Sequence, residues 1–386
     1  MNRKLRMGMI GGGKNAFIGA VHRIAANMDG LITLTAAALS SDPQRALESG
    51  RELFLAADRI YADYKTMLET EAAKPASERL DFIVIVTPNH VHFEPAMLAL
   101  EKGFHVVIDK PITFTLDQAK QLKAKVAATG LKLLLTHTYT GYPMVKQARA
   151  MVKAGTLGEI RKIYVEYPQG WLSTPDEKDN QQAAWRTDPS KSGKAGAMGD
   201  IGTHAANLAE YVSGLQIDRL CADLNIVVPG RRLDDDGAIL LKFNNGASGV
   251  LIASQIAAGE ENALSIRVYG EKGGLEWHQM EPNTLLVKWL DKPAEIYRAG
   301  AGYHYQSPFM YKNTRTPGGH PEGYLEAFGN LYRNFAHTLM ALADGTTPTP
   351  EALDYPSVEE GVRGMAFIDN VVKSAQSEQK WTKFEI

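Results

Sequence analysis

A chain of 386 residues exceeds what one ordinary hydrophobic core organises, so its length predicts two domains. Its composition, 44% hydrophobic and 22% charged, is that of a folded globular protein and excludes disordered and collagen-like classes. A formal net charge of −2 with no run of Lys or Arg excludes a polynucleotide partner, and the lack of about 18 consecutive apolar residues excludes a membrane span.

The first segment, MNRKLRMGMIGGG, has a basic beginning, but its short apolar run ends in three glycines rather than in a small-residue cleavage site, so it is read as a strand, Met7–Ile10. Phe17, Val21, Ile24 or Ala25, and Met28 then recur at helical spacing. Leu31–Leu39 reads as the second strand. Phe82–Thr87, Val106–Asp109 and Lys132–Thr136 follow as strands, with helices over Phe93–Lys102 and Leu116–Thr129. Short apolar runs alternating with amphipathic segments predict βαβ units, hence an N-terminal Rossmann domain with a doubly wound parallel sheet over residues 1–137.

The rhythm changes near Tyr139. After a helix over Met144–Ala154, the period-two run Ile160–Tyr167 predicts a half-buried strand. Gly237–Phe243, Ala247–Ser254, Leu264–Tyr269, Gly274–His278, Thr284–Trp289 and Glu295–Ala299 then follow without intervening helices, so they are expected to pair as a large, mostly antiparallel sheet. One face of that sheet is expected to stay open for a partner subunit. Helices over Tyr324–Ala343 and Val358–Ser377 close this α+β domain, residues 138–386, and Lys178–Lys194 and Ala299–Gly319 read as long loops. The single Cys221 cannot form an internal disulfide, which fits a reducing, cytoplasmic compartment.

Gly11, Gly13 and Ala16 fit G-x-G-x-x-[G/A] at a strand-to-helix turn. Gly11 permits the tight turn, Gly13 lets a pyrophosphate approach the backbone, and the helix N-terminus offers N–H groups to the anion. A nicotinamide dinucleotide is the expected cofactor. The second strand ends in Leu39-Ser40-Ser41-Asp42, without an acid where NAD-binding domains place one for the ribose. Ser40 would not repel a 2′-phosphate and Arg45 is close enough to meet one, so NAD is expected and NADP stays open. Asp42 can equally cap the next helix.

Three further motifs, Thr87-Pro88-Asn89-His90, Asp109-Lys110-Pro111 and Gly199-Asp200-Ile201-Gly202-Thr203-His204, stand in fixed order along the chain. With the glycine turn and the strand-rich second half, they resemble the Gfo/Idh/MocA family, which includes glucose–fructose oxidoreductase and inositol dehydrogenases. The resemblance covers nearly the whole chain. It implies that Lys110 sits beside the reacting carbon, that Lys110–Pro111 is cis, and that Asp200 and His204 supply a carboxylate and an imidazole to the same site. The residue before Lys110 is Asp109 where the family usually has Glu, which keeps the charge and shortens the reach.

Chemistry gives that set a reason. A hydride leaves a carbinol carbon only as the hydroxyl proton is removed, and a histidine can take that proton near neutral pH. His204 is therefore the expected base, Lys110 the group that stabilises developing alkoxide charge, and Asp200 the carboxylate that orients the ring or binds a neighbouring hydroxyl. The competing readings are a solvated Lys110, an Asp200 that caps a helix, and a His204 satisfied in its first turn. Thr87, Pro88, Asn89 and Asp109 fall at strand ends on the nicotinamide side. Trp185 and Arg186 are expected near nicotinamide or substrate, Tyr139 and Tyr142 open the second domain where a substrate would meet them, and His320 lies in a Gly/Pro-rich loop where it could bind a sugar hydroxyl. His90, His92 and His105 lack a carboxylate at ligand spacing, so no metal site is expected.

The leading expectation is an NAD(P)-dependent oxidoreductase acting on a ring secondary alcohol of a sugar or cyclitol. An NAD-dependent glycosidase that oxidises a sugar transiently and then eliminates the substituent requires the same residues. A non-catalytic nicotinamide sensor on the same fold ranks third. By the same reading the chain forms a homodimer or homotetramer.

Overall fold

The computed structural model describes residues 2–14, 16–175 and 186–386. Contacts divide the chain into one unit of Met1–Gly141 with Tyr324–Val362 and a second of Tyr142–Gly323 with Arg363–Ile386.

In the first unit, β1 (Leu5–Gly11) runs into α1 (Phe17–Asn27) and returns as β2 (Ile32–Ala38); α2 (Pro43–Glu52) and α3 (Tyr64–Ala72) lead to β3 (Phe82–Val86). α4 (Phe93–Glu101), β4 (His105–Ile108), α5 (Leu116–Thr129) and β5 (Leu133–Leu135) complete a parallel sheet ordered β2-β1-β3-β4-β5. β3 reads FIVIV and is buried throughout, as a strand covered on both faces must be. The helix Tyr324–Ala343, which the sequence places in the second domain, packs here. Its Phe328, Tyr332 and Phe335 join Met7, Met9, Val21 and Val84 in one core, and Phe335 meets Phe82 edge-on at 5.6 Å. Truncating such a ring would cost about 3–5 kcal/mol. Sequence periodicity finds this helix but not its partner, because an amphipathic face does not say which sheet it covers.

The second unit holds a nine-stranded sheet ordered β13-β12-β11-β10-β6-β9-β8-β7-β14. Its strands are β6 (Ile160–Pro168), β7 (Ile217–Asn225), β8 (Asp236–Phe243), β9 (Ser248–Ser254), β10 (Ser265–Gly270), β11 (Gly273–His278), β12 (Thr284–Trp289), β13 (Glu295–Arg298) and β14 (Thr382–Lys383). All pairs are antiparallel except β6 with β9. One face is apolar and buried, with Ile163, Leu251, Ile239, Val268, Leu275 and Leu285. Register places Leu240, Val250, Tyr164, Arg267, Glu276, Leu286 and Ile296 in a row on the other, half-exposed face. Two strands escape sequence reading, β7 because Asp218, Arg219 and Asp223 interrupt its alternation, and β14 because it is two residues long. Among the described residues no helix is long and apolar enough to cross a membrane.

Candidate active site

The glycine turn is built as an anion cradle. Gly11 has φ +80°, a conformation an L side chain resists, and a Cβ on Gly13 would lie 2.7 Å from the Leu39 carbonyl oxygen. Ala16 is the N-cap residue of α1 and gives it no side-chain cap, and no acid stands in the first turn, which leaves its N–H groups to attract an anion. The buried Thr87 hydroxyl beside Gly11 has no hydrogen-bond partner among the described residues. Close backbone, an open helix end and a spare hydroxyl fit a dinucleotide pyrophosphate.

At the end of β2, Ser40 Oγ accepts the Asp42 N–H at 3.1 Å, and Asp42 caps α2 through the Arg45 N–H at 2.8 Å, with Pro43 in the first helical turn. Asp42 is thus committed as a cap. Arg45 is exposed on the first turn of α2.

The strand ends of β3 and β4 carry the next two motifs. Pro88 is exposed and Asn89 buried in a short 3₁₀ turn. Lys110–Pro111 is cis. Asp109 Oδ1 accepts from the Lys110 N–H and from Thr136 Oγ1, both at 2.8 Å, while its Oδ2 lies 3.9 Å from His22 Nε2. The shorter acid therefore anchors the corner that presents Lys110. Burial, and next the Lys110 charge, push the buried His137 down to about 3. His22 is held at about 4 by burial, and its Nδ1 meets Tyr332 Oη at 2.6 Å.

In the second unit the Asp200 motif forms a single π-helical turn, Met198–Gly202, running into the helix Thr203–Ser213. Such turns are rare and occur often at functional sites. Buried Asp234 fixes this one, accepting the Gly196 N–H at 2.6 Å and the Met198 N–H at 2.8 Å; burial pushes its pKa up against those bonds. A Cβ on Gly196 would collide with the Asp234 carbonyl at 2.1 Å. Asp200 does not cap the helix. Its Oδ2 accepts from Arg186 Nε at 3.1 Å and from Gln255 Nε2 at 3.0 Å. His204 is 8% exposed in the first helical turn, its ring 6.4 Å from that of Tyr167. Tyr167 Oη and Gln169 Nε2 both donate to Asn262 Oδ1, and Trp171 Nε1 donates to Gln169.

The structure thus brings Arg186 to Asp200, and Arg186 also lies over the Trp171 ring at 5.6 Å. Trp185 lies outside the described residues, as does much of the Lys178–Lys194 loop. Tyr139 is buried in the 3₁₀ turn Thr138–Gly141 of the first unit. Tyr142, expected to meet substrate, is instead a core residue, 1% exposed and packed on Trp277 at 5.2 Å, because it opens the helix Pro143–Lys153 with its ring turned inward. His320 is exposed in the turn where Thr316 Oγ1 bonds its carbonyl. Gln255, Trp171 and Tyr167 are missed by sequence reading. Their signal is the polar and aromatic residues at the ends of two apolar strands, Tyr167-Pro168-Gln169-Gly170-Trp171 closing and following β6 and Gln255 just past β9. Among the described residues no group of His, Cys, Asp or Glu is arranged to hold a metal ion.

Residues 5–137 match the model of the oxidoreductase family with an NAD-binding Rossmann fold, and residues 145–276 match the GFO/IDH/MocA C-terminal domain. The uncharacterised oxidoreductase YfiI of Bacillus subtilis (strain 168) is 32% identical, with 100% of this chain and 98% of that protein covered. Levoglucosan dehydrogenase of Pseudarthrobacter phenanthrenivorans is 25% identical, covering 98% of each chain. The crystal structure of an inositol dehydrogenase homolog from Azotobacter vinelandii, complexed with NADH and myo-inositol, superposes with a TM-score of 0.89 at 34% identity, over 100% of this chain and 98% of that one.

Proposed function

The chain belongs to the Gfo/Idh/MocA family of NAD-binding oxidoreductases, and from that premise we propose that it transfers hydride reversibly between NAD and a ring secondary alcohol of a sugar or cyclitol. The observation that carries this reading is Asp200: its carboxylate is held by Arg186 and Gln255 instead of capping the helix, one turn ahead of His204. Bound NAD supplies the hydride acceptor. His204 takes the hydroxyl proton as the alcohol is oxidised, and Asp200 orients the ring or binds an adjacent hydroxyl. Lys110, on a corner fixed by Asp109, stabilises the developing alkoxide charge.

Arg186 is already paired with Asp200, which favours a neutral polyol over a sugar phosphate. The myo-inositol and levoglucosan relatives support the same substrate class. The open row on the nine-stranded sheet, with exposed Leu240 and Ile296, supports a homo-oligomer, a dimer or tetramer. The lone Cys221 supports a cytoplasmic location.

The test is absorbance at the reduced-nicotinamide band with polyols and aryl glycosides, with NAD and NADP in parallel. Net reduction that is lost in Lys110→Ala and His204→Ala supports the dehydrogenase. Aglycone release with no net absorbance change replaces it with an oxidoreductive glycosidase, and no reaction with any of them leaves a nicotinamide sensor.

A further inference from the structure

His92 has no part in the chemistry above, yet both of its ring nitrogens stand at hydrogen-bond distance from a backbone carbonyl. It is 1% exposed. Its Nδ1 lies 2.8 Å from the Pro111 carbonyl oxygen and its Nε2 lies 2.8 Å from the Thr87 carbonyl oxygen. Those carbonyls belong to the two strand-end motifs. The β3–β4 ladder closes with the Asp109 N–H on the Ile85 carbonyl at 3.1 Å, so the Thr87 and Pro111 carbonyls both lie beyond the last pair of that ladder.

Local structure frees the ring for this task. His92 stands at the start of α4 with helical backbone angles, its N–H bonded to the Asn89 carbonyl and its carbonyl accepting from Ala96, and its side chain caps nothing. A helix start needs a small polar residue such as Ser, Thr, Asp or Asn for capping, not an imidazole. Val91 and Phe93 flank it. A buried imidazole between two carbonyl oxygens spans both segments: burial pushes the His92 pKa down and so favours the neutral ring, which donates from one nitrogen and packs against the second carbonyl with the other.

We propose that His92 is a positioning residue, a clamp whose ring is wedged between the Thr87 and Pro111 carbonyls and hydrogen-bonded to one of them, so that the Thr87–Asn89 turn and the Lys110–Pro111 corner keep one fixed spacing. Resting on the dehydrogenase reading, this clamp sets where the Lys110 ammonium stands relative to the backbone that carries Pro88 and Asn89. It touches neither reacting atom. Small displacements of positioned groups lower turnover far more than they lower binding.

The experiment compares the full-length wild type with His92→Phe, which keeps the ring volume and removes the ring's hydrogen bonding, and with His92→Gln, which restores a donor. Hydrogen–deuterium exchange is followed in peptides covering residues 87–91, 109–113 and the glycine turn, alongside NADH affinity by fluorescence and kcat and KM for the polyol that wild type turns over. The clamp predicts that His92→Phe raises exchange in the first two peptides together, by about tenfold, with the glycine turn unchanged. It also predicts that kcat falls by about tenfold or more while NADH affinity and polyol KM move by less than about threefold, and that His92→Gln recovers part of both effects. Loosening of one segment alone, unchanged exchange in both, or unchanged kcat despite loosening overturns it. If His92→Phe does not fold, His92→Leu, which also lacks a donor, is read by the same criteria. If wild type oxidises no polyol, the dehydrogenase reading fails on its own, and coupled exchange of the two segments still decides the clamp.

Discussion

Gly19 lies so close to Gly12 that a Cβ on Gly19 would stand 2.2 Å from the Gly12 carbonyl oxygen. α1 therefore reaches the glycine turn through bare backbone, and Arg23 Nη1 donates to the same carbonyl at 2.6 Å. A methyl group here must push α1 away from the turn and move the N–H groups offered to the pyrophosphate. Gly19→Ala is expected to lower stability by about 1–3 kcal/mol and weaken NADH binding by about tenfold or more. Urea denaturation and a fluorescence titration check this, and a variant with wild-type affinity would show that the turn does not depend on the contact.

The proposed NAD site puts the ribose at the Ser40–Asp42 corner. Asp42 already serves as the cap of α2, so Asp42→Ala is expected to lower stability by about 1 kcal/mol and leave the ratio of NAD to NADP affinity unmoved. Ser40→Asp adds the missing acid and is expected to raise NAD preference by about tenfold. Parallel titrations with NADH and NADPH test both. A changed ratio in Asp42→Ala would make Asp42 the ribose acid.

How much of this was legible in sequence differs from motif to motif, for physical reasons. The βαβ rhythm, the glycine turn and the antiparallel strand series depend on local periodicity, so Met7–Ile10, Phe82–Thr87 and Gly274–His278 are read off directly. The third small position of the glycine motif was read at Ala16, yet Ala16 precedes α1 and the close approach occurs three residues later, at Gly19. That offset depends on helix–strand distance, which no spacing rule contains. Tyr142 reads as a site residue because hydroxyl-bearing aromatics serve both sites and cores; only Trp277, 135 positions away in sequence, makes it core. The partners of Asp200 were half visible. Arg186 lies nearby in sequence, whereas Gln255 comes from the end of β9, and a single glutamine after a strand carries no pattern.

Buried histidines give the first unit a pH dependence with a definite sign. His22 and His137 are almost fully buried, with folded pKa values of about 4 and about 3 against an ordinary 6.5. Above pH 6.5 both rings are neutral whether the chain is folded or not. As pH falls below that value the unfolded chain takes up protons that the folded chain refuses, so stability falls between 6.5 and about 4 for His22, and down to about 3 for His137. By about pH 5 each ring is expected to remove on the order of 2 kcal/mol. Urea midpoints measured from about pH 7 to about pH 5 should decline, and less steeply in His137→Asn. A flat profile would mean that the rings are not buried in the neutral form.

Gln255 offers the sharpest control over Asp200. Its amide donates to the same oxygen that accepts from Arg186, so Gln255→Glu places a second carboxylate within about 3 Å of the first, with one guanidinium to serve both. Two such acids do not both ionise near neutral pH, and the proton they share must leave before Asp200 can act as an anion beside a substrate hydroxyl. The expected result is an acid limb of kcat/KM displaced upward by about one pH unit and activity at neutral pH reduced by about tenfold. Gln255→Met loses one hydrogen bond without adding charge, so it should lower activity while leaving the limb where it was. That contrast separates electrostatics from packing. If the two variants give superimposable pH profiles, the Asp200 carboxylate is a structural partner of Arg186 and the orienting role assigned to it falls.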